Sequence, residues 1–218
     1  MSFSRPQPSS PEGEKGTTPL GELAFISPGD AGRSGIEQFI AGVYARRFGA
    51  RVRQFAPHLA GLRDPHSGAW IAAAGYRPAD ESPLFLERYL PAPIEDILSQ
   101  HRGRPVTRRG IVEVAHLSAD QPGAGRLLIP LLGQHLARES AQWVVSTLTQ
   151  ELRHLFVRMG VTPIALGQAD RAAVGPDAAD WGTYYEHHPV VLAGRLDAAL
   201  RLMRQKTRTP HLPRSIAA

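Results

Sequence analysis

The chain of 218 residues contains no cysteine. That excludes a disulfide framework, a thiolate zinc site and a thiol nucleophile, and it fits a reducing compartment. Lysine is nearly absent too. Lys15 and Lys206 are the only two, so the net charge of +5 rests almost entirely on arginine. Arginine favours bidentate contact with carboxylate and phosphate. A nucleic acid, an anionic membrane surface or a phosphate-bearing co-substrate would suit it, and so would a merely solvated surface. No zinc-finger, helix-turn-helix or RNP-type aromatic pattern accompanies the arginines, so no nucleic-acid partner is expected. Long apolar runs are also lacking. Residues 127–132 form the longest aliphatic stretch, Pro130 interrupts it, and a membrane helix needs ~20 apolar residues. No transmembrane segment is expected.

What is present suits a packed domain: hydrophobic residues make up 42% of the chain, enough to fill a core. Residues 1–20 are polar, rich in Pro and Ser, and lack the basic-then-apolar order of a signal peptide. They read as a disordered leader, and the cytoplasm is the expected location. Residues 21–204 read as a single domain. Residues 205–218, basic and carrying Pro210 and Pro213, read as a loose tail.

Within the domain, residues 23–26 read as a first strand. Ser34 and Glu37 stand at capping-box spacing. Ile36, Phe39, Ile40, Val43, Tyr44 and Phe48 then recur at helical spacing, and Gly49 stops that helix. Residues 51–55 alternate as a strand does, 57–68 are turn-rich, and 70–76 form a small-residue strand, which suggests an antiparallel meander. Residues 84–90 follow at a sheet edge, then a short helix opened by Glu95 and Asp96. The strongest strand covers residues 111–117. Its faces are Ile111, Glu113, Ala115 and Leu117 on one side and Val112, Val114 and His116 on the other. A glycine turn leads into an apolar helix that Pro130 interrupts. Trp143–Leu148 is a strand, and Thr149 caps a helix closed by Gly160. Two late strands and a helix over residues 197–204 complete the order. This is an α+β arrangement around a mixed sheet, the order found in GNAT acyltransferases.

Several segments are specific enough to compare. They are YARRFGA from Tyr44, AAAGYRPA from Ala72, LFLERYL from Leu84 with Pro93 and Glu95, RGIVEVAHLS from Arg109, WVVSTLT from Trp143, and WGTYYEHHPV from Trp181 with Gly194. In this order, over about residues 22–196, the chain resembles the thermostable hemolysin family. The resemblance implies a GNAT-like fold, with a mixed, mostly antiparallel central sheet flanked by helices, similar to the acyl-homoserine-lactone synthases. It implies transfer of an acyl group from acyl-CoA, or from the acyl-phosphopantetheine of an acyl carrier protein, to a small amine or amino-acid acceptor. The thioester would be a co-substrate, with no tightly bound cofactor. The family name comes from a haemolytic activity, so a directly haemolytic membrane-active protein is one alternative. A catalytically inactive GNAT-like binding domain is another. One position departs from the family pattern: Ala115-His116 stands where Gly-Asn is usual, which bears on the substrate.

Candidate residues follow from chemistry and resemblance together. Glu113 is a carboxylate in the middle of an apolar strand, costly unless paired or functional. It is a candidate general base, or else the partner of a core Arg77 or Arg109. Arg77 or Arg109 would hold a substrate carboxylate in a fork, and Glu87 with Arg88 would accept an amine or form a sheet-edge ion pair. His116 is a further substrate-side candidate, or a satisfied core histidine. Gln121, Gly123, Gly125 and Arg126 form a degenerate phosphate-binding turn before a helix, from which Pro122 removes one donor; an ordinary glycine turn is the other reading. Trp143 and Thr147 lie on the strand expected to flank the donor. Trp181, Tyr184 and Tyr185 offer a hydroxyl to protonate a leaving thiolate, or simply aromatic packing. No HExxH spacing points to a metal, and no GxSxG elbow points to a serine hydrolase.

Overall fold

The computed structural model describes residues 21–208. The leader at 1–20, and the tail beyond residue 208, lie outside the described residues. Among the described residues seven strands and five α-helices follow one another, with short 3₁₀ segments between them. They are β1 (Glu22–Ile26), α1 (Arg33–Phe48), β2 (His58–Arg63), β3 (Trp70–Pro78), α2 (Ile94–Arg102), β4 (Ile111–Ala119), α3 (Ala124–Arg138), β5 (Trp143–Leu148), α4 (Gln150–Arg158), β6 (Ile164–Gln168), β7 (Val190–Arg195) and α5 (Leu196–Arg208). The strands form one sheet in the order β1-β2-β3-β4-β5-β7-β6. Every neighbouring pair is antiparallel except β4 and β5, which run parallel.

Alternation along the central strands sends successive side chains to opposite faces. Leu59 and Ala73 pack with Ile36, Ile40, Tyr44 and Phe48 of α1. Ala60, Leu62, Ala72 and Ala74 pack with Leu128, Leu132 and Leu136 of α3. The two helices therefore cover opposite faces, and α5 lies over α3 through Leu196 and Leu200.

Five local readings are corrected. The second strand is β2, not residues 51–55. LAGL within β2 is buried on both faces, and such a strand carries no alternation to read. Residues 51–56 are instead an extended loop, tied by the Arg51 amide donating to Asp180 O at 2.6 Å. Residues 84–90 hold a 3₁₀ turn, Phe85–Tyr89, rather than a sheet-edge segment. The capping box of Ser34 and Glu37 does not form. Gly32 is the N-cap, and Glu37 pairs with Arg33 at 2.8 Å. Pro130 lies inside an unbroken α3, so packing on the sheet overrides its missing N–H. Finally, α5 continues to Arg208, past the residue 205 at which the loose tail was expected to begin.

Candidate active site

The site is built by an irregularity in β4. Gly75 pairs with Ala115 and Ala73 with Ser118, so His116 and Leu117 together oppose Ala74. This is a β-bulge. His116 takes up the extra residue with φ 54°, left-handed backbone that is uncommon outside glycine. The bulge exchanges the facing of two side chains. His116 was expected beside Val112 and Val114. Instead its ring sits on the α1 side, 5.7 Å from Phe55 and 6.3 Å from Tyr44. Leu117 takes the other face, against the apolar cluster of α3.

Just ahead of the bulge, β4 parts from β5. Their pairing runs Ile111 to Trp143, Val112 to Val144 and Glu113 to Val145, and goes no further. Beyond it the Ser146 hydroxyl donates to Val114 O at 2.6 Å, and the strands diverge. Two cavities open at the gap. One, of about 260 Å³, is lined by Arg51, Arg53, Arg77, Arg88, Glu113 and Trp181 among others. The other, of about 350 Å³, reaches the N-terminus of α3 and is lined by Gln121, Gly123, Gly125, Arg126 and the more distant Arg47 and Arg158. Tyr44, Ala115, His116, Thr147 and Tyr184 line both. A third cavity, of about 80 Å³, lies behind the gap and is almost wholly apolar. It shares Leu117, Ile129 and Ser146 with the second and extends to Ala199, Leu200 and Met203 of α5.

Glu113 is 4% exposed. Its carboxylate accepts the Phe85 amide at 2.8 Å and the Leu86 amide at 3.1 Å, and so pins the 3₁₀ turn to the sheet. Burial pushes its pKa up, against the pull of those two amides and of Arg77. It forms no ion pair with Arg77 or Arg109 within the described residues. Arg77 donates from Nη1 to Pro83 O at 2.9 Å, while its Nε is buried without a partner. The Thr147 hydroxyl is likewise buried and unpartnered. Such orphans are rare and call for an explanation. Tyr184 donates to Thr147 O at 3.4 Å, and burial raises its pKa well above the ordinary value.

Other candidates fall elsewhere. Tyr185 shares a 2.7 Å hydrogen bond with Tyr89 and does not line the junction of the cavities. Glu87 is engaged structurally. It accepts the Leu84 and Ile94 amides and pairs with Arg108 at 2.6 Å, and Arg108 also reaches Glu95 at 2.6 Å. Arg109, next in sequence, is exposed and away from the cavities. The arginine that matters structurally is Arg108, because the short 3₁₀ turn at Arg108–Gly110 points successive side chains in different directions. Trp143 is 2% exposed in the core with Ile111 and Val145, too deep to meet a ligand. Arg88 stacks on Phe85 at 3.8 Å. Sequence reasoning missed Arg51, Arg53, Tyr44 and Phe55, since nothing local distinguishes a loop arginine or a core-stripe tyrosine from its neighbours. Among the described residues, no three His, Asp or Glu side chains gather as metal ligands do.

His116 has a pH signature. Burial, aided by the Arg77 charge, holds its imidazole down to about 4 from an ordinary 6.5. The unfolded chain therefore binds a proton between those values that the folded chain refuses, and stability falls on acidification through that window. The limit for one proton is about 1.4 kcal/mol per pH unit. Tyr44 and Phe55 lie against the ring, the Arg77 charge acts on it, and Glu113 and Tyr184 line the same cavity. Glu113 acts with the opposite sign, because burial raises its folded pKa. We expect His116→Asn to flatten the acid limb relative to the native chain in urea melts at pH 7 and pH 5. A stability difference identical at both values would refute it.

Comparison with known proteins agrees with this geometry. The family described as Thermostable hemolysin matches residues 26–200. No curated protein matches the chain. Among solved structures, the acyl-homoserine-lactone synthase LasI aligns with a TM-score of 0.54 at 14% identity, over 82% of this chain and 92% of its own. MesI, a CoA-dependent acyl-homoserine lactone synthase, aligns with a TM-score of 0.53 at 13% identity, over 84% and 94%. FeeM, an N-acyl amino acid synthase from uncultured soil microbes, aligns with a TM-score of 0.55 at 8% identity, over 82% and 93%. At such identities the likeness is one of fold, the GNAT-like sheet flanked by helices.

Proposed function

The chain belongs to the thermostable hemolysin family, and on that premise we propose that it is an acyltransferase, moving an acyl group from a thioester to the nitrogen of a carboxylate-bearing amine. One observation carries the reading: β4 and β5 part after Glu113 and Val145, and two cavities of different chemistry meet in the gap. The cavity at the start of α3 suits the donor. Helix N-termini favour anions, and Arg47, Arg126 and Arg158 add charge for the phosphate of CoA or phosphopantetheine. Gly123 at φ 85° forms the turn there. The cavity rich in arginine suits the acceptor. The orphan Arg77 Nε is a ready donor to a carboxylate, and charge-assisted forks of this kind orient as well as bind. An amide donated by the partly free β4 edge, or the Thr147 hydroxyl, would polarise the thioester carbonyl. Since the chain has no cysteine, transfer would be direct. Both donor types are made in the cytoplasm, where we place the reaction.

The apolar third cavity suits the acyl tail, because burying each CH₂ contributes about 0.8 kcal/mol. The test is thiol release by the purified chain with acyl-CoA and acyl-carrier-protein donors of graded length and pooled amino acids. Release that depends on the amine is expected, with longer chains preferred over acetyl. Ala199→Leu, which fills the cavity from α5, is expected to shift the preference to shorter chains and leave the shortest donors unaffected. No described helix is long and apolar enough to cross a membrane. Dye release from liposomes by the purified chain, without thiol release from any donor, would overturn the reading in favour of direct lysis.

A further inference from the structure

Direct transfer needs a group at the junction that takes a proton from the amine. Five residues line both cavities, and few of them qualify. Ala115 has no such group, and Thr147 has only a hydroxyl. Burial drives the phenols of Tyr44 and Tyr184 up, away from ionisation near neutrality. Glu113 lines the acceptor cavity alone, and each of its oxygens already accepts a backbone amide. His116 remains. Neither of its ring nitrogens has a hydrogen-bond partner among the described residues, although its carbonyl accepts from Ser118. The bulge that turns it there holds a non-glycine residue at φ 54°, and strained backbone of this kind persists where the surroundings enforce it, often at functional sites. Gly75 opposite leaves the space for the ring: a Cβ there would lie 2.9 Å from His116 Cδ2.

We propose that His116 is the general base of the acyl transfer, accepting the amine proton at the junction of the two cavities. The assignment rests on the acyltransferase reading above. The acceptor enters as the free amine, and its nitrogen lone pair attacks the thioester carbonyl carbon. A C–N bond forms and the carbonyl π pair moves to oxygen. The new N–H is now acidic, and its proton passes to the imidazole lone pair. Collapse returns the oxygen pair, breaks the C–S bond and leaves its electrons on sulfur. The imidazolium gives its proton to that thiolate, so amide and thiol leave and the ring is neutral again. Burial is the larger obstacle to protonation of His116 and the Arg77 charge the smaller, and an acceptor carboxylate on Arg77 would offset the second.

The experiment compares the native chain, His116→Ala, His116→Asn and Glu113→Gln in thiol release, with and without added imidazole. Asparagine tolerates positive φ, so His116→Asn keeps the bulge if the smaller alanine does not. Both His116 variants are expected to lose roughly 10²- to 10⁴-fold in kcat, with KM for the donor little changed, and imidazole is expected to restore part of the rate of His116→Ala. Glu113→Gln gains nothing from imidazole. A native kcat in either His116 variant, a loss confined to KM, or a kcat loss in His116→Ala that imidazole does not reverse would overturn the role of His116 alone. No thiol release by the native chain with any donor would overturn the acyltransferase reading, and the base with it.

Discussion

Gly182→Ala is expected to destabilise the fold by about 3 kcal/mol or more and to abolish the site. Gly182 has φ 52° and ψ −126°, backbone that is close to glycine-only. A Cβ there would lie 2.0 Å from the carbonyl oxygen of Phe48 and 2.9 Å from the carbonyl carbon of Gly49. Both are main-chain atoms at the end of α1, so relief requires moving one backbone away from the other. That movement breaks the Thr183 amide bond to Phe48 O at 2.8 Å and loosens the Arg51 amide on Asp180 O at 2.6 Å. Trp181, which lines the first cavity, and Tyr184, which lines both, move with it. A chain of this size loses ~2–4 °C in Tm per kcal/mol, so a fall of roughly 10 °C is expected in thermal unfolding followed by circular dichroism. Gly175→Ala separates strain from clash. Its backbone is similar, φ 64° and ψ −136°, but nothing lies within 4 Å of the added Cβ. If both variants lose the same Tm, or Gly182→Ala loses almost none, close docking of this segment on α1 does not hold the site.

Arg77→Met is expected to raise KM for a carboxylate-bearing acceptor by roughly 10- to 150-fold, the equivalent of one charged hydrogen bond of about 1.5–3 kcal/mol. Methionine keeps much of the length and the apolar stem but offers no donor. The effect should fall on the acceptor, because Arg77 lines the cavity opposite the start of α3 and is absent from the donor side. A simple amine without a carboxylate should lose little. Arg77 also donates to Pro83 O, so part of the loss could come from a shifted turn; an equal loss with both acceptors would indicate that, and would remove Arg77 as the carboxylate anchor. Lysine at this position should recover only part of the affinity, since a point charge lacks the planar fork.

How far the residues could be read in advance differs from one to the next. The stripe of Ile36, Ile40 and Tyr44 with Gly49 behind it was legible because a 3.6-residue repeat and a left-handed stop are local properties, and the helix sits there. Of the turn-rich stretch expected over residues 57–68 only the end is a turn, where Asp64 accepts the Ser67 amide at 2.8 Å, a local bond, while His58–Arg63 is strand β2. Glu113 stood out because a carboxylate in an apolar strand must find partners. Which partners could not be read, for the Phe85 and Leu86 amides are 28 and 27 residues away. The same long-range bonds turn residues 84–90 into a 3₁₀ turn. Glu87 read as an amine acceptor or as half of an ion pair, and its ties to Arg108 and two amides favour the pair, though with a different arginine from the adjacent Arg88.

By itself, the sequence determined the class of chain: an α+β domain without cysteine chemistry, positively charged through arginine, with family segments in a diagnostic order. Periodicity, turn residues and charge depend on neighbours a few positions apart, so they survive in a linear reading. Tertiary structure alone decided the site. A strand pattern of strict alternation places His116 with Val112, and only the bulge against Ala74 rotates it to the opposite face. The pairing of β4 with β5 ends at Glu113 and Val145, just ahead of that bulge, and the gap lies beyond it. The residues that meet at the bulge, Ala74 and His116, lie on strands far apart in sequence, so no spacing within β4 encodes it.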